Sequence, residues 1–180
     1  GMALSSKYGP GNTREVSINA ASLVAAVINP ERCLSQNRDC LGDVGDTVYS
    51  AGPLSPGSSG VSNPFPASGF FVAYGVDHEA TGNATYANVV LNYAEIRAGV
   101  AAADSRSWAG SAAALLPDHA SRDMLFAWKF ARACGDASFC TEIPYEFPGV
   151  PAERNALFVF RAYLAPGGKV STDPSDMLGE

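Results

Sequence analysis

The two histidines are the side chains in this sequence with the widest chemical scope. His78 lies in the stretch VDHE and His119 in PDHA, so each follows an aspartate, Asp77 or Asp118, and His78 also precedes Glu79. Imidazole and carboxylate groups together bind divalent metals or exchange protons near neutral pH. If the two segments meet in the fold, His78 and His119 with Asp77 and Glu79 would form a metal site able to assist a reaction.

The local geometry around His78 argues against that site. In an extended chain His78 and Glu79 point to opposite faces, and a bulge would be needed to turn both into one site. The more economical interpretation makes each histidine a polar loop residue beside its own carboxylate. The sequence therefore predicts no cofactor, with a divalent metal as the alternative.

The segment after His78 has two further interpretations. Side-chain oxygens follow Asp77 at spacings that superficially resemble an EF-hand calcium loop, with Gly82 at the sixth position, but Asn88 stands where a bidentate Glu is needed. HEATGN is better explained as the turn of a β-hairpin. Gly82 and Asn83 tolerate positive φ, and apolar runs flank the segment on both sides.

Other catalytic signatures are missing from the sequence. It contains no Gly-x-Ser-x-Gly elbow, no dinucleotide fingerprint and no P-loop. This favours a non-catalytic domain that binds a carbohydrate or a protein partner. The alternatives are a small metal-assisted enzyme built on His78 and His119, and a structural subunit with aromatic strand faces at an oligomer interface.

The aromatic side chains are the best candidates for contacting a carbohydrate or a protein partner. The sequence has seven Tyr, nine Phe and two Trp. An exposed row of Tyr86 with Trp108 or Trp128 could stack on sugar rings, since aromatic faces provide large and rigid contact area. Most of the remaining aromatics recur at period two and are expected in the core.

The four cysteines form two local pairs, Cys33 with Cys40 and Cys134 with Cys140. Six and five residues separate the members of each pair, whereas paired zinc ligands are usually two to four residues apart. The spacings favour short disulfide-closed loops, with cross-pairing as an open alternative. Disulfides indicate an oxidising compartment, so an extracytoplasmic or secreted protein is expected, although the first residues contain no apolar leader segment.

Composition excludes some classes of partner. A net charge of −6 over 180 residues is unsuited to nucleic-acid binding, which requires basic residues to neutralise phosphates. No apolar run reaches the length of about 18 residues that a transmembrane helix needs. The oligomeric state is not predicted.

Alternation of apolar residues indicates a mainly β protein. Residues 70–76 and 85–93 are rich in aromatic and β-branched residues, and Ala87, Val89 and Leu91 share the drier side of the second run. Further strands are predicted within DTVYSAG, RAGVAAAD, DMLFAWKFARAC and ALFVFRAYLAPGG. The run DMLFAWKFARAC also fits a helix, but its large residues Met124, Phe126, Trp128 and Phe130 recur at period two, which favours a strand.

The predicted fold is an antiparallel sandwich or jelly-roll-like domain with one or two short helices and long Pro/Gly-rich loops. One helix is expected in SWAGSAAALLPDH with Ser107 as its cap, and the segment from Asn19 fits a helix or a buried strand. Residues 1–15 are expected to be a loose N-terminal segment, 16–168 a single β-rich domain, and 169–180 a loose tail.

Overall fold

The fold is given by a computed structural model that describes residues 6–7, 47–51 and 63–168. Several predictions lie outside these residues: the element from Asn19, the pair Cys33–Cys40, the tail 169–180, and most of the loose segment 1–15, of which only residues 6–7 are described and are helical. One of the predicted long Pro/Gly-rich loops covers residues 52–69, and its greater part, residues 52–62, also lies outside them.

The described residues form two sheets, and the larger one has five antiparallel strands. They are β1 (Thr47–Ala51), β2 (Asn63–Pro64), β4 (Tyr86–Tyr93), β5 (Ala98–Asp104) and β8 (Asn155–Tyr163). Their order is β1-β8-β4-β5, and β2 also pairs with β8. The sheet is therefore built around β8 and β4, which pair over eight residues.

The smaller sheet has the strand order β3-β6-β7. Its strands are β3 (Phe70–Val76), β6 (Leu125–Ala131) and β7 (Cys140–Glu142). Strands β3 and β6 are antiparallel, whereas β6 and β7 are parallel. Two antiparallel-rich sheets with a shared core confirm the predicted mainly β, sandwich-like fold.

The core lies between the sheets, where strand alternation places it. Ala87, Val89 and Leu91 of β4 are at most 1% exposed, and Tyr86 and Asn92 on the opposite face are half-buried. The predicted drier face is confirmed for these three residues, whereas Asn88 on the predicted wetter side is buried, at 8% exposed. Full burial of a side chain such as Val89 or Leu91 stabilises the fold by roughly 1.5–3 kcal/mol.

Strand β6 supplies aromatic residues to the same core, as its period-two pattern predicts. Phe126, Trp128 and Phe130 are all at most 8% exposed. Met124 departs from the prediction, because it ends the 3-10 turn Arg122–Met124 before the strand begins and is 49% exposed. The strand interpretation is thus confirmed and the helix alternative is wrong.

The predicted hairpin between β3 and β4 is wrong. Strand β3 pairs with β6, while β4 pairs with β5 and β8 in the other sheet. Residues 77–85 therefore cross from one sheet to the other. Gly82 does adopt a positive φ of 78°, so the turn chemistry is as expected, but a turn does not specify which strand becomes the neighbour.

The predicted helix over SWAGSAAALLPDH is also wrong in its bounds. The helix α1 covers only Ser105–Trp108 and is capped by Asp104, with Ser107 inside the helix. Gly110 has a φ of 77°, a left-handed conformation typical of a helix end. The following residues form turns rather than a helix.

Cys134 and Cys140 form a disulfide, as their spacing predicts. The bond closes the loop that joins β6 to the parallel strand β7. Within residues 6–7, 47–51 and 63–168, no helix has the length and apolarity needed to cross a membrane.

The two ends of the sandwich carry different sets of loops. We call one the crossover end, which contains residues 77–85, 105–124 and 164–168. The opposite Tyr145 end contains residues 65–69, 94–97 and 143–154.

Candidate functional site

Asp77 is the organising residue of the crossover end. Its side chain is buried, with the residue 4% exposed. Its Oδ1 accepts hydrogen bonds from the backbone N–H groups of Glu79 (3.0 Å) and Ala80 (3.2 Å), and its Oδ2 accepts one from Trp108 Nε1 at 2.8 Å. A buried carboxylate is thereby matched with donors, as burial of a charge requires. These bonds attach the crossover segment to α1.

The neighbouring residues extend this attachment. The Ser105 hydroxyl donates to Glu79 Oε2, while its oxygen accepts from the Ala87 backbone N–H at 3.4 Å. His78 is 7% exposed and packs edge-on against Phe160, with 5.7 Å between ring centroids. The contacts tie the crossover to both β4 and β8, so this segment stabilises the fold.

The side chains predicted as metal ligands do not come together as a metal-binding site. His119 is exposed, and its Nδ1 accepts from the Ser121 backbone N–H at 3.1 Å, whereas His78 lies in the core. Across the described parts of the chain, no three His, Cys, Asp or Glu residues come together in a group that could hold a metal ion. Both carboxylate oxygens of Asp77 already accept hydrogen bonds from backbone or indole N–H groups. The transition-metal and calcium interpretations of this segment therefore have no geometric support.

The predicted aromatic row is not present as an exposed surface. Trp108 is 0% exposed and stacks on Phe126 with ring centroids 4.0 Å apart, and Trp128 is 8% exposed. Both indole N–H groups donate internally, that of Trp128 to Thr141 Oγ1 at 2.9 Å. Buried tryptophans of this kind serve packing, and only Tyr86 remains partly accessible.

Tyr86 borders the cap of α1. Its hydroxyl donates to Asp104 Oδ2 at 3.4 Å, and its ring lies 5.5 Å from that of Tyr163. Asp104 Oδ1 accepts from the Ser107 N–H at 2.8 Å, and the Ser107 hydroxyl completes a capping box. Burial raises the pKa of Asp104, but the hydrogen bonds from Ser107 and Tyr86 and the charge of Arg106 outweigh it, so the net pKa lies below its ordinary value.

At the Tyr145 end, Arg132 fills the corresponding organising role. Its guanidinium donates to the carbonyl oxygens of Pro66 (3.2 Å), Ile143 (3.0 Å) and Pro144 (2.7 Å). It lies 4.4 Å from the ring centroids of both Phe65 and Tyr145. Burial lowers the pKa of Arg132, and Tyr145 opposes that shift. An arginine is suited to this position, because its planar head can stack and donate in several directions at once.

Tyr145 is fixed in place yet open to solvent. Its hydroxyl donates to the Ala67 carbonyl at 2.8 Å, and Arg132 covers its ring on one side. Even so, 53% of the residue is exposed, and Phe147 two residues later is 68% exposed. These are the two most exposed large apolar side chains among the described residues. We call this pair of exposed aromatic side chains the Tyr145–Phe147 platform.

A tight turn holds the platform. The Gly149 N–H donates to the Glu146 carbonyl at 2.6 Å, and Val150 N–H donates to the Pro144 carbonyl at 3.2 Å. A Cβ at Gly149 would overlap the Pro144 carbonyl oxygen and would lie 2.9 Å from the Glu146 oxygen. Since these neighbours are backbone atoms that cannot rotate away, only glycine fits this position.

Sequence reasoning missed Tyr145 and Phe147 because the segment IPYEFPGV has no strand or helix period. The signal that could have found them is composition. Two aromatic residues stand between Pro144 and Pro148 with a glycine directly after, which indicates a rigid turn that cannot bury both rings in a sheet.

The smaller sheet also carries a groove on its outer face. It has a volume of about 280 Å³, and its lining includes Val72, Ser111, Lys129, Asp136 and Phe139. The Lys129 ammonium lies 4.7 Å from the Phe70 ring centroid. The groove thus combines a cation, a carboxylate and apolar side chains in a volume at the lower limit for small-molecule sites.

Comparison with known proteins finds no matching family model, no similar curated protein and no similar solved structure.

Proposed function

We propose that this protein is a non-catalytic, extracytoplasmic binding domain that holds a neutral carbohydrate against the Tyr145–Phe147 platform. The observation that carries the proposal is that Tyr145 is both fixed in position and exposed to solvent. Its ring is fixed by Arg132 and by the hydrogen bond to Ala67, and more than half of the residue is exposed. A ring that is rigid before binding loses little conformational entropy on binding.

The chemistry of the platform suits a sugar. Pyranose rings present an apolar C–H face that packs on an aromatic ring, and hydroxyl groups around its edge that need hydrogen-bonding partners. Glu146 lies between the two aromatic residues in the chain and is exposed, so its carboxylate can accept bonds from sugar hydroxyls. The Arg132 guanidinium donates to three carbonyl groups through Nε and Nη1, and its Nη2 is buried, so it is poorly placed to recognise an anion in solution.

The charge of the chain narrows the ligand class. With a net charge of −6, the protein repels polyanions such as sulfated or uronic-acid-rich glycans at long range. A neutral oligosaccharide meets no such barrier. The Cys134–Cys140 disulfide supports the extracytoplasmic part of the proposal, because such bonds persist in oxidising compartments.

A glycan array that includes neutral and anionic oligosaccharides tests the proposal. We expect wild-type protein to bind a subset of neutral glycans, and Tyr145→Ala to lose that signal because it removes the stacking surface. Phe147→Ala should weaken the same signals. A flat array, or an unchanged pattern with Tyr145→Ala, would refute the proposal, and binding only to immobilised proteins would redirect it to a protein partner.

A further inference from the structure

The groove on the outer face of the smaller sheet, which we call the Lys129 groove, is lined by three parts of the chain. The sheet contributes Val72 and Lys129, which pair across β3 and β6. The turns that follow α1 contribute Ser111 and Leu115, and the loop between β6 and β7 contributes residues 136–139. None of the lining residues belongs to the Tyr145 end, so this groove is separate from the platform described above.

The loop that borders the groove is held in place by covalent and non-covalent contacts. The disulfide between Cys134 and Cys140 closes it. The Phe139 carbonyl accepts a hydrogen bond from the Lys129 backbone N–H at 3.0 Å, and the Phe139 ring packs edge-on against Trp128 with 6.0 Å between centroids. A site whose border is fixed before binding loses little conformational entropy when a ligand enters.

Ser111 supplies a buried polar group to the groove. The residue is 3% exposed, and its Oγ accepts the Ala127 backbone N–H at 2.9 Å. A hydroxyl group can also donate one hydrogen bond. Within the part of the chain that the structure describes, no acceptor receives the Ser111 hydroxyl proton. That donor is therefore available to a ligand in the groove.

Two opposite charges line the groove without pairing. The half-buried Lys129 places its ammonium 4.7 Å from the Phe70 ring centroid. Neither this ammonium nor the Asp136 carboxylate forms an ion pair or a side-chain hydrogen bond among the described residues, and the two do not pair with each other. Each can therefore take an opposite charge from a ligand.

We propose that the Lys129 groove binds a free apolar amino acid in its zwitterionic form. The ligand carboxylate accepts hydrogen bonds from the Lys129 ammonium and the Ser111 hydroxyl, and the ligand ammonium donates to Asp136. The apolar side chain of the ligand packs against Leu115 and Phe139, which also line the groove. Hydrogen bonds between charged groups are the stronger kind, so the two ends of the ligand fix its orientation.

Size and charge support this class of ligand. A volume of about 280 Å³ is at the lower limit for small-molecule sites, which suits a single amino acid rather than an oligosaccharide. A zwitterion has no net charge, so the charge of −6 on the chain does not repel it. Lys7 lines the groove as well, and positive side chains therefore outnumber negative ones. We accordingly expect the ligand carboxylate to contribute more to affinity than the ligand ammonium.

An NMR titration that follows individual backbone amides tests the proposal with three probes of similar shape. They are leucine, isocaproate, which lacks the ammonium, and isoamylamine, which lacks the carboxylate. We expect saturable shifts at Ser111, Lys129 and Phe139, strongest binding for leucine, weaker binding for isocaproate and none for isoamylamine. No saturable shift with leucine at millimolar concentrations, or equal binding of leucine and isoamylamine, overturns the proposal.

Two variants test the role of each charge. Lys129→Met keeps the apolar stem beside Phe70 but removes the ammonium, so affinity for leucine should fall about tenfold or more, whereas Lys129→Arg should retain most of it. Asp136→Asn should weaken leucine by about threefold, as expected for an exposed ion pair, and leave isocaproate unchanged. Wild-type affinity for leucine in Lys129→Met, or equal losses of leucine and isocaproate in Asp136→Asn, contradicts the assigned contacts.

Two controls separate this site from general effects and from the platform. Asp118→Asn removes an exposed carboxylate outside the groove and should leave leucine binding unchanged. Tyr145→Ala should also leave it unchanged, because the platform and the groove share no residue. Loss of leucine binding in either control would show that the shifts do not report on the Lys129 groove. Glycan binding enters none of these measurements, so the groove and the platform succeed or fail separately.

Discussion

The two ends of the sandwich are each organised by one charged side chain that joins separate segments, but they leave different groups exposed. At the crossover end, Asp77 bonds the crossover to Trp108, and Asp77, His78 and Trp108 are all at most 7% exposed. At the Tyr145 end, Arg132 joins residues 65–67 to 143–145 and holds Tyr145, a residue that is 53% exposed.

A charged side chain that joins two segments by hydrogen bonds therefore has a different consequence at each end of the sandwich. Burial of a fully bonded polar group adds stability and removes the group from contact with ligands. A hydrogen-bonded side chain that packs beneath an exposed aromatic ring, as Arg132 does under Tyr145, instead fixes that ring in position for ligand binding. We therefore expect mutations at the crossover end to lower stability, and mutations on the platform to lower ligand affinity.

Asp77→Ala should have the largest effect on stability. It leaves the buried Trp108 N–H and two loop N–H groups without their acceptor, which should lower the free energy of unfolding by about 3 kcal/mol. Urea denaturation followed by tryptophan fluorescence measures this loss. Asp118→Ala, at an exposed aspartate of the same end, is the matched control with little expected change. Equal losses for the two variants would show that the Asp77 bonds do not stabilise the crossover.

Gly149→Ala should disturb the Tyr145 end by a smaller amount. The added Cβ overlaps backbone atoms of the platform turn, and such overpacking costs roughly 1–3 kcal/mol. Because the turn must move, affinity for a neutral glycan should fall together with stability. Calorimetric titration and thermal unfolding measure both.

The control for that variant is Gly75→Ala. A Cβ there would lie 3.5 Å from Phe126 Cε1, an ordinary contact distance, so stability and affinity should change little. If Gly149→Ala behaved like Gly75→Ala, the platform turn would be adaptable rather than fixed.

Asp104→Ala should have the smallest effect, about 1 kcal/mol at pH 7, which is typical for loss of a helix cap. Since the folded-state pKa of Asp104 lies below its ordinary value of 3.8, its charge stabilises the fold above pH 3.8. That contribution is lost as the pH falls through the folded-state pKa.

The difference in unfolding free energy between wild type and Asp104→Ala should therefore shrink in acid. Asp104→Asn keeps a good capping acceptor without the charge, so it should retain most of the stability at pH 7 and show a weaker dependence on pH. A difference that grew on acidification would contradict the lowered pKa.

The strands could be predicted from the sequence because their signal is local. Alternation along 85–93 separates Ala87, Val89 and Leu91 from the wetter side, and the burial of these three residues follows from that pattern. The burial of Asn88, on the other side, does not. The same local signal cannot identify a strand's neighbour. Gly82 and Asn83 suit a turn between paired strands and a crossover between sheets equally well, so the hairpin prediction failed.

The site residues were harder to predict for a related reason. Trp108 became a binding candidate because tryptophan is large and aromatic, but its burial depends on Asp77, which is 31 positions away in sequence and bonds its indole. Tyr145 was missed because its exposure depends on Arg132 and Ala67, which are far from it in sequence. Side chains fixed by long-range contacts of this kind give no periodic signal.

The most direct test of the account compares two tyrosine-to-alanine variants in one titration series. Tyr145→Ala and Tyr86→Ala are measured by calorimetry against a neutral glycan identified on the array, alongside thermal unfolding of each protein. We predict that Tyr145→Ala loses at least about tenfold in affinity with little change in stability, whereas Tyr86→Ala keeps the wild-type affinity. Loss of binding with Tyr86→Ala and none with Tyr145→Ala would contradict the assignment of the two ends.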